Sequence, residues 1–370
     1  MKMHLINFIM FFLIAILIYF GMHYFVYWRI ANGLDLSKDF RNIIKIVFIV
    51  AGISFFLSHL FGKSFWSIPF GWIGYVWMGI ISIALSVFIL QMIAAWIFPS
   101  YARLATQIAI LLVVVVSGFS LANAFWQPRI KEIRIPIGKL PAELTGFSIV
   151  ELADLHLERL KSAKWLESVV EITNRLNPDV IVIVGDLTDE DIRDKPGFVN
   201  ALKRLSSKYG IFAVTGNHEY YHGLEAYYDL CDSLCIIVLK NNHVMVANSV
   251  EIVGVNDETG KGYPGGGPDL DKAMTGCDVT KPVILLSHQP THFKAAVKKG
   301  VDLQLSGHVH AGQIPPMDLI VMLFFKYAYG LYKLGSSFIY TTSGTDIWGP
   351  PMRLFSRSEI VKFILIPAKS

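Results

Sequence analysis

Seven potential metal ligands fall in five short clusters between Asp154 and His310. The clusters read Asp154-Leu155-His156, Gly185-Asp186, Gly216-Asn217-His218, Ser287-His288 and Gly307-His308-Val309-His310. Carboxylate, imidazole and amide oxygen together suit divalent ions of intermediate softness such as Mn, Fe and Zn. No cysteine belongs to the set, which speaks against a thiolate structural zinc site. A carboxylate such as Asp186 can bridge two cations. A pair spaced as His308 and His310 can reach two neighbouring ions. Two ions about 3.5–4 Å apart can activate a hydroxide and clamp a phosphate for in-line attack. Taken singly the clusters are weak signals, because Asp-x-His arises by chance and Gly-Asn-His is often only a turn. Five in one order, each after an apolar run, point to an enzyme.

The elements that must position these groups are legible as apolar runs closed by Gly, Asn or Asp. Strands are expected over residues 130–135, 147–152, 180–184, 211–214, 283–286, 301–305 and 338–340. Trp165, Leu166, Val169, Val170 and Leu176 recur at helical spacing between the second and third of these, and Phe198, Leu202 and Leu205 do so before the fourth. Alternating strands and helices indicate a layered α/β domain. Over 236–255, turn signals at Asn241-Asn242 and Asn248-Ser249 suggest an antiparallel meander. Ligands at strand ends converge where such sheets bind their ligands, in the crevice beyond the carboxyl ends of the strands.

The first third of the chain has a different character. The whole sequence is 53% hydrophobic and 17% charged, against about 25% charged in an ordinary soluble domain. Apolar stretches at 5–27, 43–61, 70–98 and 104–125 each reach the roughly 20 residues that cross a hydrocarbon layer. Trp28, Trp66, Trp96 and Trp126 fall near their ends, as interfacial aromatics do. The third stretch is long enough for tilt or a break near Gly79. Residues 1–126 therefore read as a transmembrane module of four helices and 127–370 as the catalytic domain, in a multi-pass protein of the cell membrane. Basic residues do not orient it. Lys2, Lys63, Arg129, Lys131 and Arg134 on one side balance Arg29, Lys38, Arg41, Lys45 and Arg103 on the other. The net charge of +4 is too small and too scattered to argue for nucleic acid. Cys231, Cys235 and Cys277 form no disulfide framework and read as buried small apolar residues.

The motifs Asp154-Leu155-His156, Gly185-Asp186-Leu187-Thr188-Asp189, Gly216-Asn217-His218-Glu219, His288 and Gly307-His308-Val309-His310 together resemble the calcineurin-like metallophosphoesterase signature. The resemblance covers the chain from about Gly146 onward. It is closest to a bacterial membrane-anchored subgroup, some of whose relatives are UDP-diacylglucosamine pyrophosphohydrolases. It implies a double β-sandwich flanked by helices around a dinuclear centre. By this match Asp154, His156, Asp186 and His310 hold one metal. Asp186, Asn217, His288 and His308 hold the other, with Asp186 bridging. His218 contacts the phosphate and protonates the leaving oxygen. Ala153 and Ala311 depart from the usual pattern without removing a ligand, and Glu219 stands where Asp is common.

Three expectations follow for the surroundings. Asp189 or Glu219 accepts a hydrogen bond from His218, the alternative being that both are solvated surface charges. His222, His243 and His292 are structural. Residues 314–325, too short to span a bilayer, are either an interfacial flap with Lys326, Tyr327, Tyr329, Tyr332 and Lys333 at head-group level or an ordinary buried helix or hairpin. The reading is a membrane-anchored hydrolase of phosphodiesters or phosphomonoesters, its substrate open to being lipid-linked. One rival is a pyrophosphohydrolase of a nucleotide-linked lipid precursor. Another is a membrane sensor or scaffold with an inactive metal domain.

Overall fold

The computed structural model describes residues 2–62, 64–158 and 160–368. Lys63 and the Lys2 side chain, two of the residues weighed for orientation, lie outside what is described. The chain forms two compact units. One runs to Phe125 and adds Ile314–Leu319 and Gly349–Phe355; the other holds Trp126–Gln313, Ile320–Trp348 and the chain from Ser356.

The first unit is built on α1 (Lys2–Gly33), α2 (Lys38–Leu60), α3 (Ser67–Ile97) and α4 (Ala102–Ala124). All four are long and apolar enough to cross a membrane. Helices in lipid pack through small and polar residues rather than apolar ones, and this sorting is visible here. Ser54, Ser58, Gly74, Ser82, Thr106, Ser117 and Ser120 are buried, while Leu17, Leu90, Leu111 and Val114 are exposed. The four tryptophans near the helix ends are exposed as well. His23 is buried and packed, with Nδ1 2.7 Å from the Tyr19 carbonyl and Nε2 2.9 Å from Trp77 Nε1. There is no break at Gly79, because α3 runs straight through it. A Cβ at that position would lie 2.6 Å from Met352 Sδ, so the glycine admits a close neighbour instead.

The second unit carries β1 (Arg129–Ile137), β2 (Ser148–Leu152), α5 (Ala163–Arg175), β3 (Val180–Val184), α6 (Pro196–Leu202) and β4 (Ile211–Val214). There follow α7 (Asn217–His222), α8 (Leu224–Ser233), β5 (Ile237–Val238), β6 (Asn242–Val246), β7 (Val250–Gly254) and α9 (Leu270–Ala273). The remainder is β8 (Val283–Leu286), α10 (Phe293–Lys298), β9 (Leu303–Ser306), β10 (Gly330–Leu334), β11 (Ser337–Thr341) and β12 (Glu359–Pro367), while α11 (Met317–Phe324) begins in the first unit and ends in the second. They form two six-stranded sheets, ordered β1-β12-β2-β3-β4-β5 and β10-β11-β9-β8-β7-β6.

Side-chain alternation stacks the sheets. Val180, Val182 and Val184 face a shared core with Ile252, Ile284, Leu286, Leu303 and Leu305 of the other sheet. Ile181 and Ile183 point the opposite way, onto Leu166, Val169 and Val170 of α5 and Phe198 and Leu202 of α6. Val253, Val283 and Leu285 likewise turn outward onto Ala273 of α9 and Ala296 of α10. Each such buried Val, Leu or Ile side chain contributes about 1.5–3 kcal/mol. The result is the expected double sandwich between helical layers.

Three local expectations are corrected. The 236–255 stretch is not one meander, because β5 runs parallel to β4 in the first sheet while β6 and β7 pair in the second. Only the second turn makes a hairpin, with Ala247 and Asn248 both at positive φ as a tight turn demands. Leu205 lies beyond the end of α6, although it packs in the same core. Of the cysteines only Cys231 is buried; Cys235 is exposed and Cys277 half-buried.

Candidate metal centre

Strands β2, β3 and β4 are parallel neighbours in one sheet, and β8 and β9 are parallel neighbours in the other. Their carboxyl ends therefore open side by side, and each delivers one ligand cluster within a few residues of the strand. The chain turns sharply there: Asp154, His156, Asp186, His308 and His310 all have positive φ. Such backbone is costly for residues with side chains and clusters at functional sites. Gly216 is required by close approach, since a Cβ there would collide with Asp186 Oδ1.

Among the described residues three groups have donor atoms close enough to hold an ion: Asp154 with His156 and His310, Asp186 with His288 and His308, and His156 with Asp189 and His218. Asn217 joins the second, its Oδ1 2.8 Å from His308 Nδ1 and 3.2 Å from His288 Nε2. Asp186 Oδ2 lies between the first two groups, 3.1 Å from His288 Nε2 and 3.9 Å from His156 Nε2. His288 Nδ1 is 2.8 Å from the Val184 carbonyl. That contact keeps the proton on Nδ1 and turns the Nε2 lone pair inward.

This arrangement fits divalent ions. The facing Nε2 atoms of His156 and His310 are 3.1 Å apart, close to the roughly 3.3 Å expected for two imidazoles on one tetrahedral ion. Asp154 Oδ2 is buried with no hydrogen-bond partner among the described residues. Burial and the neighbouring His288 push the His308 imidazole down to about 3, leaving it a neutral donor. For His156 burial acts the same way, but Asp189, Asp186 and Asp154 override it and raise the group to about 9.

His218 stands beside the first two groups. Its ring is 4.6 Å from that of His156, and its Nδ1 is 2.9 Å from Asp189 Oδ1. The same oxygen lies 2.8 Å from His156 Nδ1. Asp189 is thus the carboxylate that meets His218, and it holds a ligand imidazole as well. Burial alone would raise the Asp189 carboxyl, yet His156 and His218 keep it far below the usual carboxylate range.

Glu219 has another task. Its buried carboxylate accepts from the backbone N–H groups of Asp186 (3.0 Å), Leu187 (2.7 Å), Thr188 (3.3 Å) and Gly216 (2.6 Å). It staples the β3 and β4 loops together, so neither carboxylate is a solvated surface charge. Burial and the nearby Asp186 raise it to about 7 despite those amides. Orphaning a buried donor costs about 1–3 kcal/mol. Glu219→Ala is therefore expected to lose about 3 kcal/mol or more, read as a lower thermal midpoint, while the isosteric Gln recovers part of it.

Of the histidines taken as structural, His243 Nδ1 sits 3.0 Å from the Ala273 carbonyl and His292 pairs with Glu258. His222 lies with its ring 5.6 Å from that of His218. Sequence reasoning missed Trp348. Its half-exposed ring meets His218 edge-on at 5.6 Å. Gln313 grips its backbone on both sides, accepting from Trp348 N at 3.1 Å and donating to its carbonyl at 3.0 Å. The only signal was Gln313 following the His-Val-His cluster.

Comparison with known proteins gives the family. The family model described as calcineurin-like phosphoesterase matches residues 147–312. A metallophosphoesterase of Campylobacter jejuni is 31% identical over 96% of this chain and 97% of its own length. This chain belongs to the calcineurin-like metallophosphoesterases. A relative from Helicobacter pylori named a metallophosphoesterase is 39% identical over 68% of this chain and 70% of its own. A zebrafish relative, named a transmembrane protein with metallophosphoesterase domain, is 36% identical over 70% of this chain. The match spans 62% of that protein's length. The metallophosphoesterases are metal-dependent phosphoric ester hydrolases as a class, and the donor groups described above lie within or next to the matched residues.

Proposed function

We propose that this chain is a multi-pass membrane phosphoesterase that hydrolyses phosphodiesters or phosphomonoesters at a dinuclear centre of Mn, Fe or Zn. The observation that carries the reading is that Asp186 Oδ2 lies between the Asp154–His156–His310 group and its own group with His288 and His308. Asp154, His156, Asp186 and His310 would hold one ion, and Asp186, Asn217, His288 and His308 the other. Bound ions at such a centre supply a nucleophile from water and neutralise charge on the phosphate.

The protein's own groups do the rest. Val184 and Asp189 fix the tautomers of His288 and His156, so that their Nε2 lone pairs face inward. His218 Nε2, 4.0 Å from Asp186 Oδ2, is placed to give a proton to the departing oxygen. Asp189 Oδ1, 2.9 Å from Nδ1, orients that ring. The scaffold reading gains no support. A domain that merely signals has no use for so many buried charges, each costly to desolvate without a partner.

Full-length protein stripped with chelator should not hydrolyse bis(p-nitrophenyl) phosphate, and Mn should restore turnover. Failure to hydrolyse any phosphoester with any restored divalent metal would return the scaffold reading to first place.

A further inference from the structure

Two short segments after the ligand clusters belong to the helical unit, Ile314–Leu319 and Gly349–Phe355. They share a signature, Pro315-Pro316-Met317 and Pro350-Pro351-Met352. Both leave from one point, the Gln313–Trp348 clamp. Ser82 Oγ donates to the Pro315 carbonyl at 2.6 Å. Ile314 and Met352 pack with Ile83, against Val76, Ile80 and Val87 of α3 and Val116 of α4.

The depth of that anchor follows from helix length. Helix α3 has 31 residues, and about 20 cross the hydrocarbon. Every window of that length within Ser67–Ile97 contains residues 78–86. If α3 spans a bilayer, Ser82 and Ile83 lie inside the hydrocarbon wherever the window falls, and Pro315 and Met352 lie there with them.

Backbone at such depth must have its polar groups satisfied. Several polar groups of these segments are satisfied within the same unit. Four prolines carry no N–H. Met317 N reaches the Ile314 carbonyl at 2.9 Å, and Met352 N the Pro350 carbonyl at 2.7 Å. Arg353 N donates to Ser120 O at 2.9 Å, and Asn123 Nδ2 to Arg353 O at 2.8 Å.

From this anchor α11 runs on for eight residues, Met317–Phe324, none of them buried. At 1.5 Å per residue its whole length stays within about 12 Å of the anchor. Leu319, Met322, Leu323 and Phe324 are 63%, 69%, 84% and 80% exposed, an apolar face that water would penalise. Lys326, lying over the Tyr327 ring, follows directly, as residues at a bilayer boundary do. Phe325, next after the helix, packs edge-on to His308 at 5.7 Å.

We propose that residues 314–325 and 349–355 form a re-entrant, lipid-embedded element, and that the phosphoester handled at the metal centre carries acyl or alkyl chains. The substrate class rests on the phosphoesterase reading above; the embedding does not. A buried helix is excluded by the exposure of α11, and the alternative occupants of its apolar face, a second copy or another protein, are separable by experiment.

Full-length protein with Cys235→Ser and Cys277→Ser would be placed in nanodiscs holding lipids with a spin label on the acyl chain. A fluorophore is then attached at Leu323→Cys, at Leu90→Cys on α3, or at Met245→Cys on β6. Quenching at 323 should match that at 90 and exceed that at 245. Quenching no stronger than at 245 overturns the embedding, whether water or protein covers the helix. In the same nanodiscs, kcat/KM for a series of phosphodiesters should rise with chain length, and Leu323→Glu with Phe324→Glu should shrink the long-to-short ratio at least about tenfold. A ratio near one in the parent overturns the substrate class. Loss of turnover on every member of the series, aryl diesters included, overturns the phosphoesterase reading instead, while the quenching still decides the embedding.

Discussion

Asp186→Asn should leave a folded protein that holds at most one ion per chain and turns over bis(p-nitrophenyl) phosphate at least about 10³-fold more slowly. The amide is isosteric, and its oxygen can still accept from His218 N, a contact of 2.9 Å. What disappears is the negative charge that Asp186 Oδ2 presents to His288 Nε2 at 3.1 Å, to His156 Nε2 at 3.9 Å and to His218 Nε2 at 4.0 Å. On the proposed assignment no other side chain serves both ions. A neutral amide cannot replace a bridging carboxylate, because the NH2 group that takes the place of Oδ2 has no lone pair to offer either ion. Metal content by mass spectrometry and turnover should fall together, with the thermal midpoint showing that the fold survives. Two retained ions with activity within tenfold of the parent would remove Asp186 from the bridging position.

His218→Asn should keep both ions and lose about 10²–10⁴-fold in kcat, the usual worth of a positioned acid. The loss should depend on the leaving group. Nitrophenolate departs without help, so an aryl diester should suffer least and an alkyl diester most. Asp189→Asn should fall between parent and His218→Asn, about 10–100-fold, and should also weaken metal retention. The reason is its double contact, 2.9 Å from His218 Nδ1 and 2.8 Å from His156 Nδ1. Equal loss on aryl and alkyl diesters would deny His218 the proton transfer and leave it a phosphate contact only.

Much of the catalytic unit was legible because it is locally encoded. Residues 180–184 are Val-Ile-Val-Ile-Val closed by Gly-Asp, and both faces of β3 are buried, so an unbroken apolar run was the right signal. The four long apolar stretches announced themselves by length alone. The C-terminal strand was not legible. Strand β12 slots between β1 and β2, parallel to one and antiparallel to the other, and no local pattern carries that choice. The 236–255 segment failed for a related reason: its turns were visible, but the switch from one sheet to the other between β5 and β6 was not. Glu219 was named for the wrong task. Its type marked it as important, yet only the convergence of four backbone N–H groups on its carboxylate shows that it staples two loops.

By itself the sequence determined which chemistry was available: carboxylate, imidazole and amide donors, each after a strand and beside a turn-permitting residue, following an apolar third. Those are properties of residue type and short-range backbone preference, which survive without tertiary context. Only the tertiary structure decided which donors meet. Two sheets contribute strand ends to one crevice, Asp186 comes between two groups of imidazoles, Asp189 and not Glu219 reaches His218, and Trp348 arrives from 130 residues downstream of it. It also decided that two proline pairs dock on α3 and α4. Such pairings depend on sheet order and packing between segments far apart in the chain, where the energy lies in contacts that no single segment encodes.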